Sequence, residues 1–311
     1  MRRRLLKGFL QSLTVRRQRI MAWELMTKTG VDPVRFRRDG LTWVMRVLPH
    51  DHIGWDLFVD GGYQLDEIKA LLGWAQHVGV FSGSRNIVID AGANIGTTCI
   101  PMVHAIGCRA LAIEPVAANF SCLRQNVESN AFTDKILLAN KAIALQSGRL
   151  RMCLTDTSGG HFLAGDVTDA NDALIHGRPM GGYEDVDTDT LSGIVAAAGL
   201  DAGEIALVWA DVQGCELAVI ESGSDFWVRG APLWAEIEPH SLRRQGTLDI
   251  FAGAVRAHFD RFIEAHDLTR LGAAAVPRPI TELGNLVAGI TPAQLNTNVL
   301  LLPPTFSARS Q

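Results

Sequence analysis

The chain has 311 residues, 47% of them hydrophobic and 20% charged, with a formal net charge of −4. That balance is ordinary for a folded globular chain and excludes low-complexity and collagen-like polymers; no apolar run reaches the roughly 18–20 residues of a membrane span. The five cysteines, Cys99, Cys108, Cys122, Cys153 and Cys215, are scattered without a CxxC pair. Reduced thiols in a cytoplasmic compartment fit that pattern better than a disulfide framework or a zinc site.

Charge is uneven along the chain. Residues 1–28 carry Arg2, Arg3, Arg4, Lys7, Arg16, Arg17, Arg19 and Lys28 against Glu24 alone, which is +7 and leaves −11 for the remainder. Lys7 and Gln11 interrupt the apolar stretch Leu5–Val15, which does not suit a secretory leader. Two readings stay open: a solvated helix with a few packed apolar residues, or an amphipathic basic helix in weak peripheral contact with the inner face of a membrane. Nucleic acid is not an expected partner, because the acidic remainder repels phosphate and the basic segment lacks interleaved aromatics. Residues 1–60 are expected to form a basic helical and β extension, with a hairpin near Leu41–Leu48 turning into Trp55–Val59. Residues 61–311 form the main domain, which opens on Gly61-Gly62-Tyr63 and a helix over Gln64–His77.

From Asn86 onward short apolar strands alternate with amphipathic helices. Strands are predicted at Asn86–Asp90, Arg109–Ile113, Ile136–Ile143, Ile205–Asp211 and Pro232–Glu238, with Asn298–Leu302 closing the sheet. Helices are predicted over Gly96–Ile106 (with Pro101 an awkward interior residue), Ala118–Asn130, Leu191–Ala198, after Gly214, and over Leu248–Phe262. Leu150–Leu163 reads as a hairpin or loop. The alternation argues for an α/β fold with a doubly wound, mostly parallel sheet covered on both faces. In such sheets ligands bind beyond the C-terminal strand ends, where strand order reverses. Asp90, Glu114, Asp211 and Glu238 all fall at that rim.

The segment Asp90-Ala91-Gly92-Ala93-Asn94-Ile95-Gly96 follows a strand and opens a helix, the context of a nucleotide loop. The dinucleotide fingerprint needs glycine where Asn94 and Thr97 stand, so the loop argues against an NAD-dependent oxidoreductase. An adenosine ligand without a pyrophosphate has no such requirement, and S-adenosylmethionine is one. Glu114, about twenty residues on at the next strand end, can accept hydrogen bonds from both ribose hydroxyls. Asn119 is either the N-cap of the following helix or a cofactor contact.

These motifs together resemble the FkbM family of methyltransferases. The family's D-x-G-A-N-x-G loop is matched by Asp90–Gly96, its E-P and N-x-x-x-L-x-x-N by Glu114-Pro115, Asn119, Leu123 and Asn126. A further element is matched by Asn140, Ala142, Ile143 and Gly148. The acidic block resembles Asp211-Val212-Gln213-Gly214-Cys215-Glu216, and E-x-x-P resembles Glu236–Pro239. The resemblance spans roughly residues 60–302. It implies S-adenosylmethionine as cofactor and O-methylation of a sugar, glycan or polyketide-type hydroxyl. It also implies cofactor contacts from Asp90, Gly92, Asn94, Gly96, Glu114, Asn119 and Ala142. Trp209, Gln213 and Ser192 depart from the pattern, standing where the family has a basic residue, a glutamate and an acid. An inactive binding protein on the same fold is the alternative those departures allow.

Methyl transfer to an alcohol needs alignment and a base for the hydroxyl proton. Asp211 is the best-placed carboxylate, and His240, just past the fifth strand, is the other candidate base. His161, in Ser158-Gly159-Gly160-His161, and Glu238 are the candidate acceptor contacts. No spacing of acids, histidines or cysteines is diagnostic of a metal.

Overall fold

The structure is a computed structural model that describes residues 14–164, 174–175, 178–291 and 294–307. It begins with helix α1 (Val15–Thr29), whose Thr14 cap accepts the Arg17 N–H and which ends at the left-handed Gly30. The basic stretch 1–13 lies outside the described residues. Within α1, Trp23 is 3% exposed and Arg16 pairs with Asp60 at 2.6 Å. A hairpin follows, β1 (Val34–Arg38) against β2 (Leu41–Met45). Asp39 and Gly40, both at positive φ, make the two-residue turn that Asp-Gly favours. The hairpin therefore starts earlier than expected. Its expected continuation at Trp55–Val59 is not a strand: His52–Trp55 is α-helical and Asp56–Asp60 a π-helical turn. The cause is Asp51, whose carboxylate accepts the Gly54 N–H and starts a helix there.

Helix α2 (Leu65–His77) leads into the alternation: β3 (Ile87–Ala91), α3 (Cys99–Ile106), β4 (Arg109–Ile113), α4 (Ala117–Ser129) and β5 (Ile136–Ala139). Pro101 is the third residue of α3, where its missing N–H has no intrahelical acceptor to lose. The third predicted strand divides, because β6 (Ala142–Ile143) leaves the main sheet for a second one. That sheet adds β7 (Gly148–Thr155), β8 (Phe162–Leu163), β9 (Leu174–Ile175) and β10 (Arg178–Asp189), in the order β6-β10-β7-β8 with β9 paired to β10.

The elements that follow include α5 (Leu191–Ala197), β11 (Ile205–Ala210), α6 (Glu216–Ser222), β12 (Leu233–Ile237), α7 (Pro239–Arg244), α8 (Leu248–His258), β13 (Arg261–Glu264), β14 (Arg278–Pro279) and β15 (Thr297–Leu302), with further short helices at Ser224–Val228, Ala265–Leu271 and Leu283–Gly289. The helix predicted to reach Phe262 stops at His258, since Phe259 turns extended and feeds β13. The main sheet runs β14-β13-β15-β12-β11-β3-β4-β5. Neighbours from β12 to β5 are parallel, as expected for a doubly wound α/β fold. β15 does not close the sheet: it lies antiparallel between β12 and β13, and β14 is the edge. Strand order reverses between β3 and β11, which puts the ligand crevice over their C-terminal ends.

Apolar clusters cover both faces of the sheet. One runs without a break from Trp23 and the hairpin residues Trp43 and Met45, through Leu71 and Trp74 of α2, to Ile100 and Leu123. Residues of the extension and of the main domain thus share one apolar cluster. The opposite cluster packs α5, α6 and α8 on the sheet. All five cysteines are free thiols, four of them buried. Among the described residues no helix is long and apolar enough to cross a membrane.

Candidate active site

The chain leaves β3 through Gly92, whose φ is +84 and where a Cβ would lie 1.9 Å from the Asp211 carbonyl oxygen. Only glycine lets this turn approach the end of β11 so closely. Asn94 is also left-handed, with φ 52. Its N–H donates to Glu114 Oε2 at 2.9 Å and its side-chain amide to the Ser158 carbonyl at 2.8 Å. Its own amide oxygen is buried with no partner among the described residues. Asp90, 1% exposed, accepts the Cys99 N–H at 3.0 Å and so caps α3 from below. Burial pushes its pKa up to about 7.

A cavity sits over this loop. Of the expected cofactor residues, Gly92, Asn94, Glu114, Asn119 and Ala142 line it. Asp90 and Gly96 do not: Asp90 faces α3, and Gly96 packs beneath Ile100 and Leu123. Both shape the loop from behind. Glu114 is 4% exposed, and its two oxygens accept the Asn94 and Val116 N–H groups, each at 2.9 Å. Burial nonetheless pushes its pKa up to about 7. Asn119 is not an N-cap, since α4 starts two residues earlier, and its amide donates to the Ser158 carbonyl at 2.9 Å. Val116, Ile143, Met152 and Leu163 give the cavity an apolar wall.

A roof over this cavity comes from Thr157–His161. Asp51, from the N-terminal extension, accepts the Ser158 hydroxyl at 2.7 Å and its N–H at 3.3 Å. Asn94 and Asn119 hold the same residue from inside. Ile53 presses on Gly159, where a Cβ would meet it at 2.4 Å.

A second cavity adjoins the first, and Tyr63, Gly159, Asp211 and Gln213 line both. Glu236, Glu238, Thr155, Thr157 and Asn296 complete most of its polar lining. Gln213, at φ 52, donates from one nitrogen to Asp211 Oδ1 at 2.8 Å and to Glu236 Oε2 at 3.0 Å. Asn296 donates to the other Glu236 oxygen. Burial, with Asp211 close by, holds the Glu236 carboxyl well above the usual range. The departures Trp209 and Gln213 now have a joint account. Trp209 stacks on Trp234 with ring centroids 4.8 Å apart and brings no positive charge. A glutamate at 213 would add a third carboxylate to two others, whereas the amide donates to both.

Asp211 stands at the junction of the two cavities. Glu238 lines the second cavity and accepts the Ser241 hydroxyl. His240 does not come to the site: it is exposed near the start of α7 and lines neither cavity. His161 does not line the second cavity. It lines the first cavity, its Nδ1 accepts the Thr155 N–H at 3.0 Å, and burial lowers its pKa to about 4. It is a neutral ring that holds the roof. Sequence reasoning missed Tyr63, Glu236, Asp51 and Ser158. Glu236 had a usable signal, since residues two apart on a strand share a face and Glu238 was already noted. Ser158 acts through its carbonyl, which no side-chain pattern reveals. Among the described residues no group of three His, Cys, Asp or Glu side chains is spaced to hold a metal ion.

Comparison with curated protein sequences gave no match. Among solved structures, geranyl diphosphate C-methyltransferase from Streptomyces coelicolor A3(2) aligns at 12% identity over 81% of each chain, with a TM-score of 0.39. TYW2 from M. jannaschii, in complex with AdoMet, aligns at 10% identity over 87% of this chain and 84% of its own, with a TM-score of 0.39. Both likenesses are distant. The methyltransferase FkbM domain matches residues 90–266, from the first residue of the loop, through Glu114 and the acids at the ends of β11 and β12, to the helix after β13. With more than half of its length in that match, the chain belongs to the FkbM methyltransferase family.

Proposed function

We propose that the protein is an S-adenosylmethionine-dependent O-methyltransferase whose acceptor is a hydroxyl on a polyhydroxylated, non-anionic molecule of sugar or glycan type. The meeting of two cavities at Asp211 carries this reading. The first cavity fits the cofactor by its chemistry. Glu114 offers acceptor sites for a ribose diol, the unpartnered Asn94 oxygen suits an ammonium, and the apolar wall suits adenine. When bound, the cofactor supplies an already activated methyl group.

The chain's own residues supply the rest. The Ser158 roof and Asp51 keep water from the crevice. Asp211 is placed to take the hydroxyl proton, and Gln213 fixes its orientation. Among the described residues the second cavity is lined by hydroxyls, amides, carboxylates and the His52 imidazole, with Leu295 its one aliphatic side chain and no Lys or Arg. Such a lining satisfies sugar hydroxyls. It repels phosphate and carboxylate groups and offers little to a long hydrocarbon chain.

The test is transfer of tritiated methyl from the cofactor to a panel of methyl hexopyranosides, sugar phosphates and fatty alcohols, with binding followed by calorimetry. The expected result is micromolar binding of S-adenosylmethionine, none of NAD, and methyl ether formation on the neutral sugars. Asp211→Asn should lower turnover roughly 10²–10⁴-fold while cofactor affinity changes little. Products methylated on nitrogen or carbon, or full turnover by Asp211→Asn, would overturn the reading.

A further inference from the structure

Gly61-Gly62-Tyr63 is conspicuous in the sequence, and its structure is costly. The π-helical turn ends at Gly61, with φ +116, where a Cβ would lie 2.3 Å from the Arg38 guanidinium. At Gly62 a Cβ would meet Leu65 at 2.2 Å, and Gln64 is left-handed at φ 52. Irregular helices and left-handed residues cluster where a side chain has to be aimed. Here the side chain is Tyr63, which lines both cavities and shares their junction with Asp211. Its ring rests on His52, with centroids 5.7 Å apart. Burial and the facing carboxylates of Asp211, Glu236, Glu67 and Asp56 hold the phenol far above its ordinary range. It is a donor at any working pH.

We propose that Tyr63 is the acceptor-positioning residue of this methyltransferase, its hydroxyl standing at the transfer point and donating a hydrogen bond to the acceptor oxygen opposite Asp211. The proposal rests on the methyltransferase reading above. An alcohol oxygen has four tetrahedral directions. One is its carbon, one its proton, which passes to Asp211, and one a lone pair held by Tyr63. The fourth, the remaining lone pair, is thereby turned toward the methyl group. The oxygen–methyl bond forms as the sulfur–methyl bond breaks, a neutral thioether leaves, and Tyr63 keeps its own proton throughout.

The chain has two tyrosines, Tyr63 and Tyr183, and the latter is 55% exposed. Fluorine NMR of protein carrying 3-fluorotyrosine therefore gives two resonances, which Tyr63→Phe assigns. S-adenosylmethionine should shift the Tyr63 resonance further than S-adenosylhomocysteine does, because only the former brings a sulfonium charge and a methyl group to the junction. The Tyr183 resonance should stay in place with either ligand. Equal shifts with both ligands, or no shift while both bind, would overturn the proposal. Failure of S-adenosylmethionine to bind would instead overturn the cofactor reading. On a hexopyranoside that accepts tritiated methyl, Tyr63→Phe should raise the acceptor KM about tenfold, with the cofactor Kd within about twofold of wild type. A Tyr63→Phe enzyme with unchanged KM and kcat would also overturn it.

Discussion

At Glu114 two opposing forces set the charge. Burial favours the neutral acid, the Asn94 and Val116 N–H groups favour the carboxylate, and the balance falls at about 7. On the proposed reading a ribose diol donates two more hydrogen bonds to the ionised form, which links binding to ionisation. Affinity should therefore rise as pH climbs through 7 and weaken below it, where the protonated carboxyl must itself donate. Calorimetry with S-adenosylhomocysteine is expected to show several-fold tighter binding at pH 8 than at pH 6. Glu114→Gln should flatten that dependence and weaken binding by about 1–3 kcal/mol. A flat wild-type profile would remove Glu114 from the ribose contact. This residue was legible in the sequence because its distance from the loop and its strand-end position follow from the fold. Which strand-end acid faces the crevice was not legible. Asp90 turns to the N-terminus of α3, and His240 turns outward although it is two residues from Glu238.

Helix α4 joins the elements around the site through Asn126, which is fully buried. Its amide oxygen accepts the Val44 N–H at 2.5 Å, and its nitrogen donates to the Val44 carbonyl at 3.0 Å and the Ile95 carbonyl at 2.8 Å. One side chain thus stands in for a strand partner of β2 and also pins the cofactor loop. Asn126→Ala would leave three buried backbone groups unpaired, for a loss on the order of 3 kcal/mol in urea denaturation. Cofactor affinity should fall with it, because the same change frees the loop. A loss under about 1 kcal/mol would mean that water replaces the amide. Elements with a buried, mainly apolar strand between helices, such as β3, β4 and β11, were readable to within a residue or so. The β7–β10 pairing was not. Its outward residues Arg149, Arg151, Asp185 and Asp187 pair across the strands as exposed ions, so Leu150–Leu163 reads only as a hairpin or loop, which β7 and β8 form, and the long partner β10 goes unseen. The π-helical turn escaped for the opposite reason, since buried Leu57 and Val59 mimic a strand's alternation.

Across the whole molecule, the parallel strand ends gather acids that folding removes from water. Asp90, Glu114 and Glu216 are buried, and each is pushed up to about 7 by that burial. In the unfolded chain such groups ionise near pH 4. Between about pH 4 and 7 the unfolded state therefore binds fewer protons than the folded one, so these groups make stability fall as pH rises, and level off above 7. The ligand-free protein should melt lower at pH 8 than at pH 5, by on the order of 5 °C for a chain of this size. An Asp90→Asn, Glu216→Gln double variant should lose a large part of that slope, since neither amide titrates. The rest belongs to Glu114 and to the other buried carboxyls held above their ordinary range, Glu236, Asp51 and Glu67 among them, and on the proposed reading the cofactor's ribose draws Glu114 toward its ionised form. S-adenosylhomocysteine should accordingly raise the melting temperature more at pH 8 than at pH 6. Calorimetric scans of the wild type and the double variant, with and without that ligand, check all three expectations. A wild-type melting temperature that climbs from pH 5 to pH 8 would show that these carboxyls are ionised in the folded protein.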